Sequence, residues 1–194
     1  NTTNDSFDFT VDDGAGTTTS STFNWTVTAT NDAPAEASIE GTTLAYTEND
    51  GAVAITSTLA LSDSDDTNLE SAVVQITGNY ASGQDVLTFV DQNGISGVWN
   101  AGSGTLTLTG TATVAQYQAA LRSITYTNTS DNPSTATRTV SFTVNDGDVD
   151  SNTQTRDISI AATNDDPTGA GLPSDITVTE DVSSNVDLSA LNLS

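Results

Sequence analysis

The sequence predicts an all-β fold: an antiparallel β-sandwich repeat with one short helix, set in a tandem array. Three observations predict it. Apolar and β-branched residues alternate with Thr and Ser, as in Thr105-Leu106-Thr107-Leu108-Thr109 and Thr139-Val140-Ser141-Phe142-Thr143-Val144, which is the period of a strand with one face buried. Clusters of Gly, Asn, Asp and Ser punctuate these runs, as turns do in a sandwich. The sequence also repeats itself. Phe9-Thr10-Val11-Asp12-Asp13-Gly14 recurs as Phe142-Thr143-Val144-Asn145-Asp146-Gly147, and Ala29-Thr30-Asn31-Asp32-Ala33-Pro34 as Ala162-Thr163-Asn164-Asp165-Asp166-Pro167, both offset by 133. Thr47-Glu48-Asn49 recurs as Thr179-Glu180-Asp181, and Leu59-Ala60-Leu61-Ser62 as Leu191-Asn192-Leu193-Ser194, both offset by 132. Self-similarity at such a period marks an array of supersecondary units.

The repeat divides the chain into three parts. Residues 1–33 match the C-terminal strands of a preceding repeat, 34–166 are one complete repeat, and 167–194 match the N-terminal strands of a following one. Neither flank can bury a sandwich face alone, so neighbouring repeats, or complementary half-domains of other copies, are expected to complete them. Within the complete repeat, strands are expected near 38–46, 52–61, 71–79, 85–90, 95–100, 104–110, 122–128, 137–145 and 154–162. Leu106, Leu108, Val140, Phe142, Val144, Ile158 and Ile160 should form the core, with Trp99 among them. One segment departs from the strand pattern. Residues 113–121 carry helix formers with apolar residues at 114, 117 and 121, and Thr113 with Gln116 fits a capping box. A two-turn helix closing one end of the sandwich is expected there.

Composition excludes several chemistries. The 194 residues carry 26 acids against three arginines, a formal net charge of −23, with no histidine, cysteine or methionine. Such a surface repels nucleic acid. Without cysteine or histidine there is no zinc or copper site of the usual kind, no thiol nucleophile and no imidazole base. Disulfides are unavailable, and without lysine so are Lys–Asn isopeptide bonds. Only five glutamates occur and no aromatic-lined cleft can be read, so no enzyme is expected. No apolar stretch is long enough to span a membrane as a helix, and no signal peptide is visible. The remaining means of stiffening the chain is oxygen: carboxylate, amide and carbonyl, the ligand set of Ca2+.

The acids sit in clusters that a sandwich would gather at two poles. Following the strands up and down, one pole collects Asn31, Asp32, Asp63, Asp65, Asp66, Asp146 and Asp148, with Asp150 close by. The other collects Glu48, Asn164 and Asp165, with Asp131 a further candidate. Carboxylates so grouped repel one another unless a cation sits among them. A hard divalent ion with 6–8 oxygen ligands suits flexible Asp- and Asn-rich loops. The alternative is that these residues serve as turn formers only.

Thr47-Glu48-Asn49, Asp63-Ser64-Asp65, the Val-Asn-Asp-Gly hairpin at 144–147 and the linker Asn164-Asp165-Asp166-Pro167 give the chain a family likeness. It resembles the cadherin-like tandem repeats of large secreted bacterial adhesins of the RTX, type I secretion class. The run from Gly104-Thr105-Leu106 through Ala119-Ala120-Leu121 to Tyr126 shares that likeness, which covers essentially the whole chain. The resemblance implies calcium ions at the linkers between successive repeats, an extracellular or cell-surface location, and a rod that projects an adhesive tip. Two features depart from animal cadherins. The linker is shorter than their Asp-x-Asn-Asp-Asn-x-Pro, and a helix at 113–121 replaces their Asp-Arg-Glu loop. The competing expectation is a lectin-like module that binds carbohydrate through a loop calcium or through Trp99 and Tyr80.

Overall fold

The computed structural model of the chain describes residues 2–165, 169–170 and 192–193. The first two strands, β1 (Thr2–Asp12) and β2 (Thr18–Thr28), form an antiparallel hairpin that pairs Phe7 with Phe23 and Asp5 with Trp25. Strand alternation puts Phe7, Phe9, Val11, Phe23, Trp25 and Val27 on one face. All six are exposed, Phe23 by 54%. The repeat offset equates five of these positions with Val140, Phe142, Val144, Ile158 and Ile160, all buried in the complete repeat. The hairpin therefore presents a face of core type that nothing among the described residues covers.

Residues 35–161 form a β-sandwich. The strands are β3 (Ala35–Ala37), β4 (Leu44–Thr47), β5 (Val53–Ala54), β6 (Ala60–Ser62), β7 (Asn68–Gly78), β8 (Asp85–Thr88), β9 (Ser96–Asn100), β10 (Thr105–Thr113), β11 (Thr125–Asn128), β12 (Arg138–Asn145) and β13 (Gln154–Ala161). One sheet has the order β4-β13-β12-β7-β10-β9. The smaller β5-β11-β8 sheet and the helix α1 (Val114–Arg122) supply the opposite side of the core, and β3 pairs with β6 as a short ribbon. Val74, Leu106, Leu108, Val140, Phe142 and Ile158 from the large sheet meet Leu87, Ile95, Tyr117, Leu121 and Tyr126 in one buried cluster. All seven core positions expected from alternation are buried. Trp99 differs: on the edge strand β9 it is only half-buried, packed edge-on against Tyr80.

The helix begins where its cap requires. Thr113 accepts from the backbone N–H of Gln116, and the Gln116 side chain accepts from the Thr113 N–H at 2.9 Å. Tyr117, Ala120 and Leu121 face the core. Arg122 closes the last turn by donating from Nε to the Leu59 carbonyl at 2.8 Å.

Of the expected strand at 38–46 only the end forms, in β4, with β3 lying before it, and the expected strand at 52–61 is broken into β5 and β6. Ser38 takes a left-handed backbone (φ 60°), so the chain leaves the β3–β6 ribbon and crosses to the large sheet before β4 starts. Residues 56–59 turn because Glu40 holds them: its carboxylate accepts from Thr56 Oγ1, Ser57 N and Ser57 Oγ at 2.6–2.9 Å. The sandwich is also not wholly antiparallel, since β4 runs parallel to β13, pairing Leu44 with Ile158 and Thr47 with Ala161. That pairing brings the end of β4 beside the end of β13. The expected following repeat at 167–194 lies outside the described residues, apart from the pairing of β14 (Gly169–Ala170) with β15 (Asn192–Leu193).

Candidate metal centres

Two acidic clusters lie at opposite ends of β12, whose eight residues span roughly 25 Å. The first is built by three chain segments. Residues 63–66 follow β6, residues 146–150 join β12 to β13, and residues 29–34 link the β1–β2 hairpin to the sandwich. Asp63 shapes its own turn, with Oδ1 accepting from the N–H groups of Asp65 and Asp66 at 3.1 and 2.9 Å. Such an Asx turn is what Asp-x-Asp favours locally. Carboxylate oxygens of Asp63, Asp65 and Asp66 all lie within 4.8 Å of one another. Asp146 repeats the device, accepting from Asp148 N and Val149 N at 2.8 Å each.

The linker is tied into this cluster. Asn31 Nδ2 donates to Asp146 Oδ2 at 2.9 Å, the Asp32 N–H donates to Asp65 at 3.3 Å, and Ser64 Oγ donates to Asp32 Oδ2 at 3.0 Å. Asn31, Asp65, Asp66 and Asp148 line a cleft of about 460 Å³ between linker and sandwich. Burial and the charges of Asp65, Asp63, Asp146 and Asp148 hold the Asp66 carboxyl above its usual range. Asp146 goes the other way: burial works to raise it, but the Asn31 amide and its own turn N–H groups lower it further. One oxygen of Asp63, Oδ2, is buried with no hydrogen-bond partner. Asp150 stands apart, accepting from Asn145 Nδ2 at 2.8 Å inside its own hairpin.

The second cluster lies where β4 and β13 end together. Carboxylate oxygens of Glu48, Asp131 and Asp165 fall within 4.8 Å of one another. Glu48 is 4% exposed. Its Oε2 accepts from Thr163 N at 2.8 Å, while Oε1 is buried without a partner. An ionised carboxylate oxygen left so is costly, and a cation bridging to Asp131 and Asp165 would satisfy it. The donors are all oxygen, which fits calcium rather than a thiolate- or imidazole-seeking metal. Asn164 adjoins the cluster and turns its amide to the Asp165 carbonyl at 3.1 Å.

The structure brings Asp131, the further candidate from the loop after β11, together with Glu48 and Asp165. Glu36 gave no signal at all. It sits in β3, 3% exposed, with Oε2 accepting from Gln154 N at 3.3 Å and Oε1 unpartnered. Burial pushes its pKa up to about 7. The Tyr80 and Trp99 rings meet at 81°, so they do not form one flat platform for a sugar.

No family model matches the chain. Over 86 residues it is 34% identical to Halomucin of Haloquadratum walsbyi. The match takes in 42% of this chain and 1% of that protein. No helix among the described residues is long and apolar enough to cross a membrane.

Proposed function

We propose that the chain is a calcium-stiffened extender segment of a long extracellular adhesin or fibre, akin to the repeats of RTX adhesins. Repeats joined head to tail would project a binding tip for cell-surface or biofilm adhesion. The segment itself is not an enzyme in this reading.

The relation between the two linkers carries the proposal. Asn31-Asp32 and Asn164-Asp165 are the same element one repeat apart. The first is hydrogen-bonded to Ser64, Asp65 and Asp146 of the repeat it enters. The second lies beside Glu48 and Asp131 of the repeat it leaves. Each junction of an array would thus hold both carboxylate sets around one linker, enough oxygen for six- to eight-coordinate calcium. Calcium bound only to the aligned, folded state stabilises that state by mass action. Without it the carboxylates repel and the junction loosens. The partial likeness to Halomucin, of which the 86 matched residues are 1%, fits a segment of a very long chain.

The test is a thermal melt and small-angle scattering of this chain and of a two-repeat version, in calcium and in excess chelator. The proposal expects a large rise in melting temperature and a longer, stiffer particle in calcium. Superimposable melts and scattering curves in the two conditions would remove it, leaving acidic turns on a β-sandwich.

A further inference from the structure

A buried ion pair joins the start of β8 to the start of β12, the end of β12 that also carries the Glu48–Asp131–Asp165 cluster. Asp85 and Arg138 have fully buried side chains, with Arg138 Nε donating to Asp85 Oδ2 at 2.9 Å. Asp85 Oδ2 also accepts from Ala81 N at 2.7 Å, and Oδ1 accepts from Tyr126 OH and Asn128 Nδ2, both at 2.6 Å. As a source of stability such a pair is poor. Desolvating two charges offsets most of their attraction. Arg138 Nη2 is moreover left buried without a partner, an additional cost. Position 5, its equivalent one repeat earlier, is Asp, so the arginine is no general requirement of the repeat.

What the pair does hold is the loop that carries Asp131. Arg138 Nη1 donates to the carbonyls of Ser134 and Ala136, at the far end of the 129–137 loop. At the near end, Asn128 Oδ1 accepts from Ser130 N at 2.9 Å. The same Asn128 meets β4: its N–H donates to Tyr46 OH at 3.0 Å, and Tyr46 OH donates to its carbonyl at 3.1 Å. Tyr46 lies on that strand two residues before Glu48, which follows its last residue. Both ends of the Asp131 loop and the strand that leads into Glu48 are thereby fixed to one buried carboxylate, Asp85.

We propose that Asp85 and Arg138, with Asn128 and Tyr46, are positioning residues for a divalent-cation site at Glu48, Asp131 and Asp165. Their role is to keep the exposed Asp131 carboxylate within reach of the buried Glu48. The proposal rests on the cation reading given above and adds the residues that set that site's affinity. Groups that orient ligands from behind typically account for about 10–100-fold in metal affinity.

The test is calorimetric titration of calcium into the full chain with Asp63→Asn, Asp65→Asn and Asp66→Asn, so that the other cluster is silenced. Into that background go Glu48→Gln, Arg138→Lys and, as a control for stability alone, Leu108→Ala. Lysine keeps a charge facing Asp85 but cannot hold two loop carbonyls through a planar fork. The expected result is loss of binding in Glu48→Gln and affinity about tenfold or more weaker in Arg138→Lys. Leu108→Ala should melt lower at unchanged affinity. Unchanged affinity in folded Arg138→Lys overturns the positioning role while leaving the cation site standing. No calcium binding in the background chain, with Glu48→Gln indistinguishable from it, overturns both. If Arg138→Lys does not fold, Asn128→Ala, which releases Ser130 N and leaves the ion pair intact, takes its place with the same two outcomes.

Discussion

Asn31 and Asp146 are 115 positions apart, and the amide of the first donates to the carboxylate of the second at 2.9 Å. This bond ties the linker after the β1–β2 hairpin to the loop before β13. It acts alongside the Asp32 N–H on Asp65. The linker is thus ordered against carboxylates even where no cation is considered, and a cation there would meet a partly assembled site.

Asp66 should respond to substitution with opposite sign in two conditions. Its carboxyl is raised by burial and by four neighbouring acids, so its ionised form is held in an unfavourable field. In excess chelator, Asp66→Asn is expected to raise the melting temperature. With calcium present, the same variant should gain less from the ion than the parent does. A melt in each buffer checks both signs. A lower melting temperature in chelator would show that Asp66 is not under electrostatic strain.

Glu36 predicts a pH dependence. Burial pushes its folded pKa up to about 7, from an ordinary value of about 4.5 in the unfolded chain. The folded state therefore holds a proton that the unfolded state has released, and stability falls as pH rises from about 4.5 to about 7. The whole effect is at most about 3 kcal/mol. In Glu36→Gln the fall should disappear from that window. Denaturant unfolding of both chains at pH 4.5, 6 and 7.5 measures it, and parallel curves would refute the assignment.

Gly110 lies in an irregularity of β10, where the register with β7 shifts between Thr109 and Ala112. Its φ is 130°, and a Cβ there would stand 2.2 Å from the Gly94 carbonyl oxygen. The backbone strain and the clash act together, so Gly110→Ala should destabilise by about 3 kcal/mol or more. Its carbonyl also accepts from Tyr117 OH at 2.7 Å, so α1 should loosen with the strand. Urea unfolding followed by far-ultraviolet circular dichroism checks this.

The hairpin face predicts a fluorescence result. Phe7, Phe23 and Trp25 are exposed with neighbouring rings 5.6–5.9 Å apart. The chain should bind an apolar dye such as ANS, and Phe7→Ser with Phe23→Ser should remove most of that signal. The melting temperature of the 35–161 sandwich should stay within about 1 °C, because surface changes away from packed groups shift stability little. A matching fall in that melt would mean the face is packed on the sandwich.

Much of this was legible in the sequence because it follows from local periodicity. Alternation places Leu106, Leu108, Val140, Phe142 and Val144 inward. Thr113 and Gln116 announce the helix start. The repeat offset identifies Asn31-Asp32 with Asn164-Asp165. Turn chemistry likewise fixes how Asp63 and Asp146 fold their own loops. What the sequence could not determine were relations between distant segments. The parallel pairing of β4 with β13, the breaks at 38–43 and 55–59, the burial of Glu36 and the anchoring of Asp131 through Arg138 depend on which elements meet. No residue pattern encodes those meetings locally. They arise because burying the apolar faces of two sheets at once leaves few arrangements for the segments between them. Those segments then satisfy their polar groups with whatever the packing has brought near.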